Sequence, residues 1–293
     1  MGRPANNALD GDDEFEEFSE FINNSDRSYA TKKSYRTSFR KLRDILGKNI
    51  ADTSQETTCK AIMASTDNIN SAQALLNIAV IVRQEIKKMP VNELIDQRAE
   101  NKEVVTESLK QANAMTVLPD LDVFDDYINL LWQKNDYRAF IINYLIRFHY
   151  VRNQDLLFDI VFTKNETLDD LTKNYIWIDR KKQVCNYIRN TYKTSKTYGT
   201  KVTKIDNERF IVAAKKCAKL MYCFPLTDSF DKIGYYVNKL TFNHLGEGDL
   251  LKIIINHYKG DYSKIKEIAK SRGTNENVIL TSYNISYNDI ESK

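Results

Sequence analysis

The sequence lacks the marks of a metal site, a disulfide scaffold or a membrane span. Its four cysteines (Cys59, Cys185, Cys217, Cys223) form no C-x-x-C pair, and its three histidines do not stand near them at metal-ligand spacing. Structural zinc is therefore not expected, and the cysteines read as idle thiols in a reducing compartment. No stretch reaches the roughly 20 apolar residues of a membrane helix, and no basic-then-apolar leader opens the chain. A soluble, intracellular protein without a membrane partner is expected. Internal repeats and long low-complexity tracts are also missing.

What is present is a chain of 293 residues, 42% hydrophobic, long enough for two domains with their own cores. The net charge of +3 is small but unevenly placed. Acidic residues cluster from Asp10 to Glu20, whereas Arg180 to Lys204 holds eight Lys/Arg and no Asp or Glu. A basic stretch of that kind predicts a polyanionic partner better than the total does.

Residues 1–11 have too little apolar content to fold and read as a leader. Phe15, Phe18 and Ile22 then recur at helical spacing, with the acidic run as a solvated face. The next helix, capped by Ser25 or Asp26, has Tyr35, Phe39, Leu42 and Leu46 as its apolar stripe and Lys32, Lys33, Arg36 and Arg40 on its remaining surface. That surface suits phosphate contacts, though an ordinary solvated helix has the same pattern. Residues 47–70 read as mostly connective, with one short helix around Cys59 to Met63, and 72–89 as a strongly apolar helix closed by Lys87, Lys88 and Pro90. A polar helix over 91–114 completes a first, helical domain at 12–115, and Pro119 marks the start of a second domain, 116–293.

In the second domain an apolar helix (Phe140, Ile141, Tyr144, Leu145, Phe148) breaks and is expected to restart at Arg152 with Asp155, Leu156 and Leu157. Arg152 and Asp155, three apart, would share a helix face, so that the carboxylate holds the guanidinium in one orientation as a phosphate clamp or simply as a packing pair. Residues 175–179, 184–188 and 200–205 alternate as strands of a small antiparallel sheet. The turn at 180–183 carries Lys181 and Lys182, and a hydroxyl-rich loop at 190–199 carries Lys193 and Lys196, with Lys201 just beyond. Helices at 207–222, 230–240, 249–258, 262–271 and 276–282 close the chain.

In this order, the elements resemble the tyrosine recombinases, the phage-integrase-like enzymes that break and rejoin DNA. The basic Tyr29-Ala-Thr-Lys-Lys-Ser-Tyr-Arg36 helix looks like the opening of the family's core-binding domain, and Arg152-Asn-Gln-Asp-Leu-Leu157 like its first arginine box. Gly273 and Tyr283 keep the family's ten-residue spacing from the glycine of Gly-His to the nucleophilic tyrosine, with Thr274 in place of the histidine. Lys193, or else Lys196, resembles the hairpin lysine. The His-x-x-Arg box is the poorest match, for Asp249-Leu-Leu-Lys252 stands where it should be.

The resemblance implies a mainly α protein: a helical core-binding bundle plus a C-terminal α+β catalytic-like domain with a small antiparallel sheet. It implies duplex DNA as partner, dimers or tetramers on that DNA, and no cofactor, since a covalent 3′-phosphotyrosine conserves the bond energy. Tyr283 would be the nucleophile, Arg152 and Lys252 would meet the nonbridging oxygens with Asp155 supporting Arg152, and Lys193 would protonate the leaving oxygen. Lys32, Lys33, Arg36, Arg40, Lys181, Lys182, Lys196 and Lys201 would contact the DNA backbone. The eroded box also leaves open a catalytically inactive protein that binds, bridges or packages DNA, and an RNA-binding or adaptor protein. The Lys-, Asn- and Ile-rich composition suggests an AT-rich genome, such as that of a virus or mobile element.

Overall fold

Polar caps set the helix starts of the N-terminal unit. Asp12, Ser28, Ser54 and Asn68 each accept a backbone N–H from the first turn of the following helix, pairing donors that helix geometry leaves over. They open α1 (Asp13–Asn23), α2 (Tyr29–Leu46), α3 (Gln55–Ser65) and α4 (Ile69–Val80). Ser28 is the cap of α2, rather than Ser25 or Asp26, and α3 is the short helix expected around Cys59 to Met63, longer by four residues at its start and two at its end. α4 widens into a π-helical turn at Ile81–Ile86, stops at Lys88 in the left-handed region (φ 55°), and is followed by α5 (Asn92–Met115). The structure, a computed structural model, describes residues 12–115, 117–162, 168, 170–179, 184–220 and 223–283. The chain divides into two compact units, 1–109 and 110–293.

The first unit is built around Phe18, Ile22, Phe39, Leu42, Leu75, Leu76, Ile78 and Val82, all buried. One carboxylate of the acidic run is part of that interior. Glu14, only 4% exposed, accepts the backbone N–H groups of Ile50 and Ala51 at 2.9 Å each and pairs with Arg43 at 2.8 Å. Arg43 also pairs with Asp12. From the other side Arg83 donates to the carbonyls of Thr53 (2.7 Å) and Ala51 (3.1 Å). The buried backbone of this loop is thus satisfied by one charge of each sign.

The second unit begins with α6 (Leu121–Gln133) and α7 (Tyr137–His149). α7 carries Phe140, Ile141, Ile142, Leu145 and Ile146 into the core and ends at Tyr150 in the left-handed region (φ 54°, ψ 35°). The helix expected from Arg152 is a single 3₁₀ turn, Asn153–Leu156. It gives way to β1 (Phe158–Val161), which pairs in parallel with β2 (Asn174–Asp179). β2 pairs antiparallel with β3 (Val184–Arg189), and β3 with β4 (Lys201–Ile205). The three expected strands are present, but the sheet is a mixed one in the order β1-β2-β3-β4. A four-residue turn, α8 (Ser195–Tyr198), interrupts the β3–β4 connection.

α9 (Glu208–Lys219), α10 (Ile233–Asn238), α11 (Glu247–His257), α12 (Tyr262–Arg272) and α13 (Glu276–Tyr283) complete the unit. The protein is mainly helical with a small sheet. Among the described residues no helix is long and apolar enough to cross a membrane.

Candidate active site

The end of α12 is the centre of the site. Gly273 takes the left-handed conformation (φ 61°) and donates to the Lys270 carbonyl at 3.2 Å, while Thr274 N–H reaches back to Ala269 at 3.0 Å. This paired closure suits a glycine, and a side chain there would also collide: a Cβ on Gly273 would lie 2.2 Å from Thr194 Oγ1. The β3–β4 connection therefore rests directly on the glycine. Asn174 holds the root of that connection by accepting the N–H groups of Asn190 (2.9 Å) and Thr191 (2.8 Å). Tyr192 closes it by donating to Gly199 O at 2.7 Å.

A helix ends with unpaired carbonyls and negative dipole charge, which cations satisfy. Here three elements supply them. Lys201 donates to Lys270 O (3.0 Å) and Ser271 O (3.3 Å), Arg189 to Ser271 O (3.4 Å), and Arg152 to Arg272 O. Arg272 returns the contact, its Nη1 donating to Tyr150 O (3.1 Å) and Val151 O (3.4 Å) and pairing with Glu247 at 2.7 Å. Its Nη2 is 3.4 Å from the hydroxyl of Tyr283, and its guanidinium lies 5.5 Å from the centre of that ring.

Asp155 does not orient the Arg152 guanidinium, the role expected from their spacing. In the tight 3₁₀ turn its carboxylate caps the Arg152 backbone N–H (3.2 Å), and the guanidinium it meets is that of Arg189 at 3.3 Å. The cluster thus sets three guanidinium groups (Arg152, Arg189, Arg272) and the Lys201 ammonium against two carboxylates (Asp155, Glu247). Burial, and next the charge of Arg272, push the Arg152 pKa down; burial, then Arg189, does the same to Lys201. Both directions describe a surface poor in negative charge and partly withheld from water, which an anion would stabilise.

The residues singled out in the sequence are distributed as follows. Arg152 and Tyr283 both meet Arg272, and Asp155 lies one contact away. Lys193 is exposed, next to the Thr194 that abuts Gly273. Lys252 is not brought to Tyr283 by any described contact; its ammonium pairs with Asp249 at 3.2 Å on its own helix. Lys196 is exposed, Lys201 caps α12, and Lys181 and Lys182 lie outside the described residues. On α2, Lys33 is exposed, Lys32 donates to Asn23 O at 2.8 Å, Arg36 meets the Asn23 side chain, and Arg40 covers the Phe15 ring at 4.9 Å.

Sequence reading passed over Arg272, Glu247 and Arg189, although each carries a legible signal. Arg272 continues the apolar stripe Ile265, Ile268, Ala269, Glu247 begins the stripe Leu250, Leu251, Ile254, and Arg189 follows Cys185 and Tyr187 on the inward face of β3. A charged residue in register with a buried face must find a buried partner.

No family model matches the chain, and no curated protein matches it. Among solved structures it is similar to one described as the crystal structure of XerA recombinase, at 12% identity over 92% of this chain and 93% of that one, with a TM-score of 0.37.

Proposed function

We propose that this protein binds duplex DNA and breaks and rejoins its strands through a 3′-phosphotyrosine formed at Tyr283. The observation that carries the reading is the Tyr283 hydroxyl at the rim of a cluster of four cations (Arg152, Arg189, Arg272, Lys201) and two carboxylates. A scissile phosphodiester entering there supplies the missing anion, and its nonbridging oxygens gain charge as the tyrosine attacks. Arg152 stabilises that charge and Lys193 protonates the leaving 5′ oxygen. The basic surface of α2 adds contacts to the DNA backbone, and assembly as dimers or tetramers on DNA follows from the same reading.

One observation favours a second, architectural reading. Arg152, Arg189 and Lys201 all satisfy α12 carbonyls, a structural task that would keep them in place in a protein that only binds or bridges DNA. Incubation with nicked duplex DNA followed by denaturation in SDS separates the two. A covalent adduct that disappears in Tyr283→Phe establishes strand cleavage; salt-sensitive DNA binding without an adduct establishes the architectural role.

A further inference from the structure

The sequence leaves the family's second arginine without a match, yet a guanidinium stands at Tyr283. We propose that Arg272, from the last turn of α12, supplies the second guanidinium of the site and acts on the phenolic oxygen of Tyr283, in place of the arginine that α11 lacks. The proposal deepens the strand-cleavage reading above and rests on it.

The geometry of Arg272 suits the task. Its Nη1 is held by two carbonyls from the Tyr150 turn and by Glu247, so its fork is fixed before any substrate arrives, which is what makes electrostatic stabilisation effective. Its Nη2 points at the reacting atom. Arg272 is only 2% exposed, so its charge acts on the Tyr283 oxygen from a site withheld from water, where it is least screened. Lys252, the alternative from sequence, is tied to Asp249 and lacks a fork. Gly273 follows Arg272 directly, and the tight closure that returns the chain toward α13 brings Arg272 and Tyr283 together across eleven positions.

In the step itself the tyrosine oxygen forms a bond to phosphorus and the bond from phosphorus to the 5′ oxygen breaks. The phenolic proton passes to solvent water, and the leaving oxygen takes a proton from the Lys193 ammonium. Arg272 remains protonated throughout and stabilises the phenolate as it forms. Rejoining is the reverse.

The test compares wild type, Arg272→Lys, Arg272→Gln and Arg272→Ala for rate of adduct formation on nicked duplex and for affinity for the same DNA. Arg272→Gln is expected to slow the adduct by about a hundredfold or more with affinity changed little, a split that a purely structural role would not give. Methylguanidinium added to Arg272→Ala is expected to restore part of the rate. Should those two variants fail to fold, Arg272→Lys decides, because it keeps the cation near Glu247 but loses the fork, and a rate about tenfold down is expected. An Arg272→Lys or Arg272→Gln rate equal to wild type, or a loss seen at Lys252→Ala and not at Arg272, overturns the proposal while leaving Tyr283 chemistry standing. No adduct from wild type overturns the strand-cleavage reading itself.

Discussion

Each unit of this protein buries a cluster of charges, and the two clusters differ in one respect. In the first unit Arg43 is held by Glu14 and Asp12 and Arg83 by backbone carbonyls, two cations to two carboxylates closing on the loop at 50–53. In the second, among the described residues, Arg152, Arg189, Arg272 and Lys201 stand against Asp155 and Glu247. Burial of charge by itself therefore marks nothing; the first cluster is a tie that holds α1 to a loop. The excess of cations beside the Tyr283 hydroxyl is what the proposed function rests on.

The largest effect expected is at the site. Tyr283→Phe removes the nucleophile and should leave no SDS-stable adduct at all, with folding and DNA affinity intact by circular dichroism and gel shift. Arg152→Ala should slow adduct formation about a hundred- to a thousandfold in a single-turnover assay. Equal rates in that variant and wild type would erase the contrast between the clusters.

The first unit should respond in stability and not in chemistry. Glu14→Ala leaves the N–H groups of Ile50 and Ala51 unpaired and takes from Arg43 one of its two carboxylates, at a cost of about 2–5 kcal/mol in urea unfolding, while cleavage per folded molecule stays unchanged. Smaller again is a pH effect at His149. Burial first, and Arg189 next, lower its pKa from 6.5 to about 4, with Glu267 opposing. The unfolded chain then binds the extra proton, so stability is complete above pH 6.5 and declines toward pH 4, by up to about 1.4 kcal/mol per pH unit. Thermal melts of wild type and His149→Gln at pH 7 and 5 should differ by that slope. Smallest per residue is α2: Lys33→Ala and Arg36→Ala should each weaken DNA binding alike for all sequences and reduce the slope of log affinity against log salt by roughly 0.9.

Periodic patterns carried much of the fold. The stripes of α2, α7, α11 and α12 and the alternation of β2, β3 and β4 are visible as spacing, because each element buries one face. β1 was not, since Phe158–Val161 continues an apolar run that reads equally as helix, and only its parallel pairing with Asn174–Trp177 decides the matter. Within the site, spacing brought out Arg152 and Tyr283 but misread Asp155. Three-residue separation implies a shared face only when both residues are helical; Arg152 is the extended cap (φ −91°, ψ 163°) of a 3₁₀ turn that begins at Asn153, so the carboxylate is spent on its backbone N–H. Glu14 was misread for a related reason: its neighbours in the acidic run are solvated, and the loop N–H groups it meets lie 36 and 37 positions away.

The exchange between Arg152 and Arg272, each side chain held by main-chain carbonyls at or beside the other, spans about 120 residues of sequence. Neither half can be assembled without its counterpart. On the ribosome, Arg152 emerges long before Arg272 and Tyr283, so a nascent chain with its sheet already formed still has no nucleophile and no fixed guanidinium. On the strand-cleavage reading proposed above, such a chain can bind DNA but cannot cut it until synthesis has passed α13 and the last helices have docked, a built-in delay between binding and cleavage.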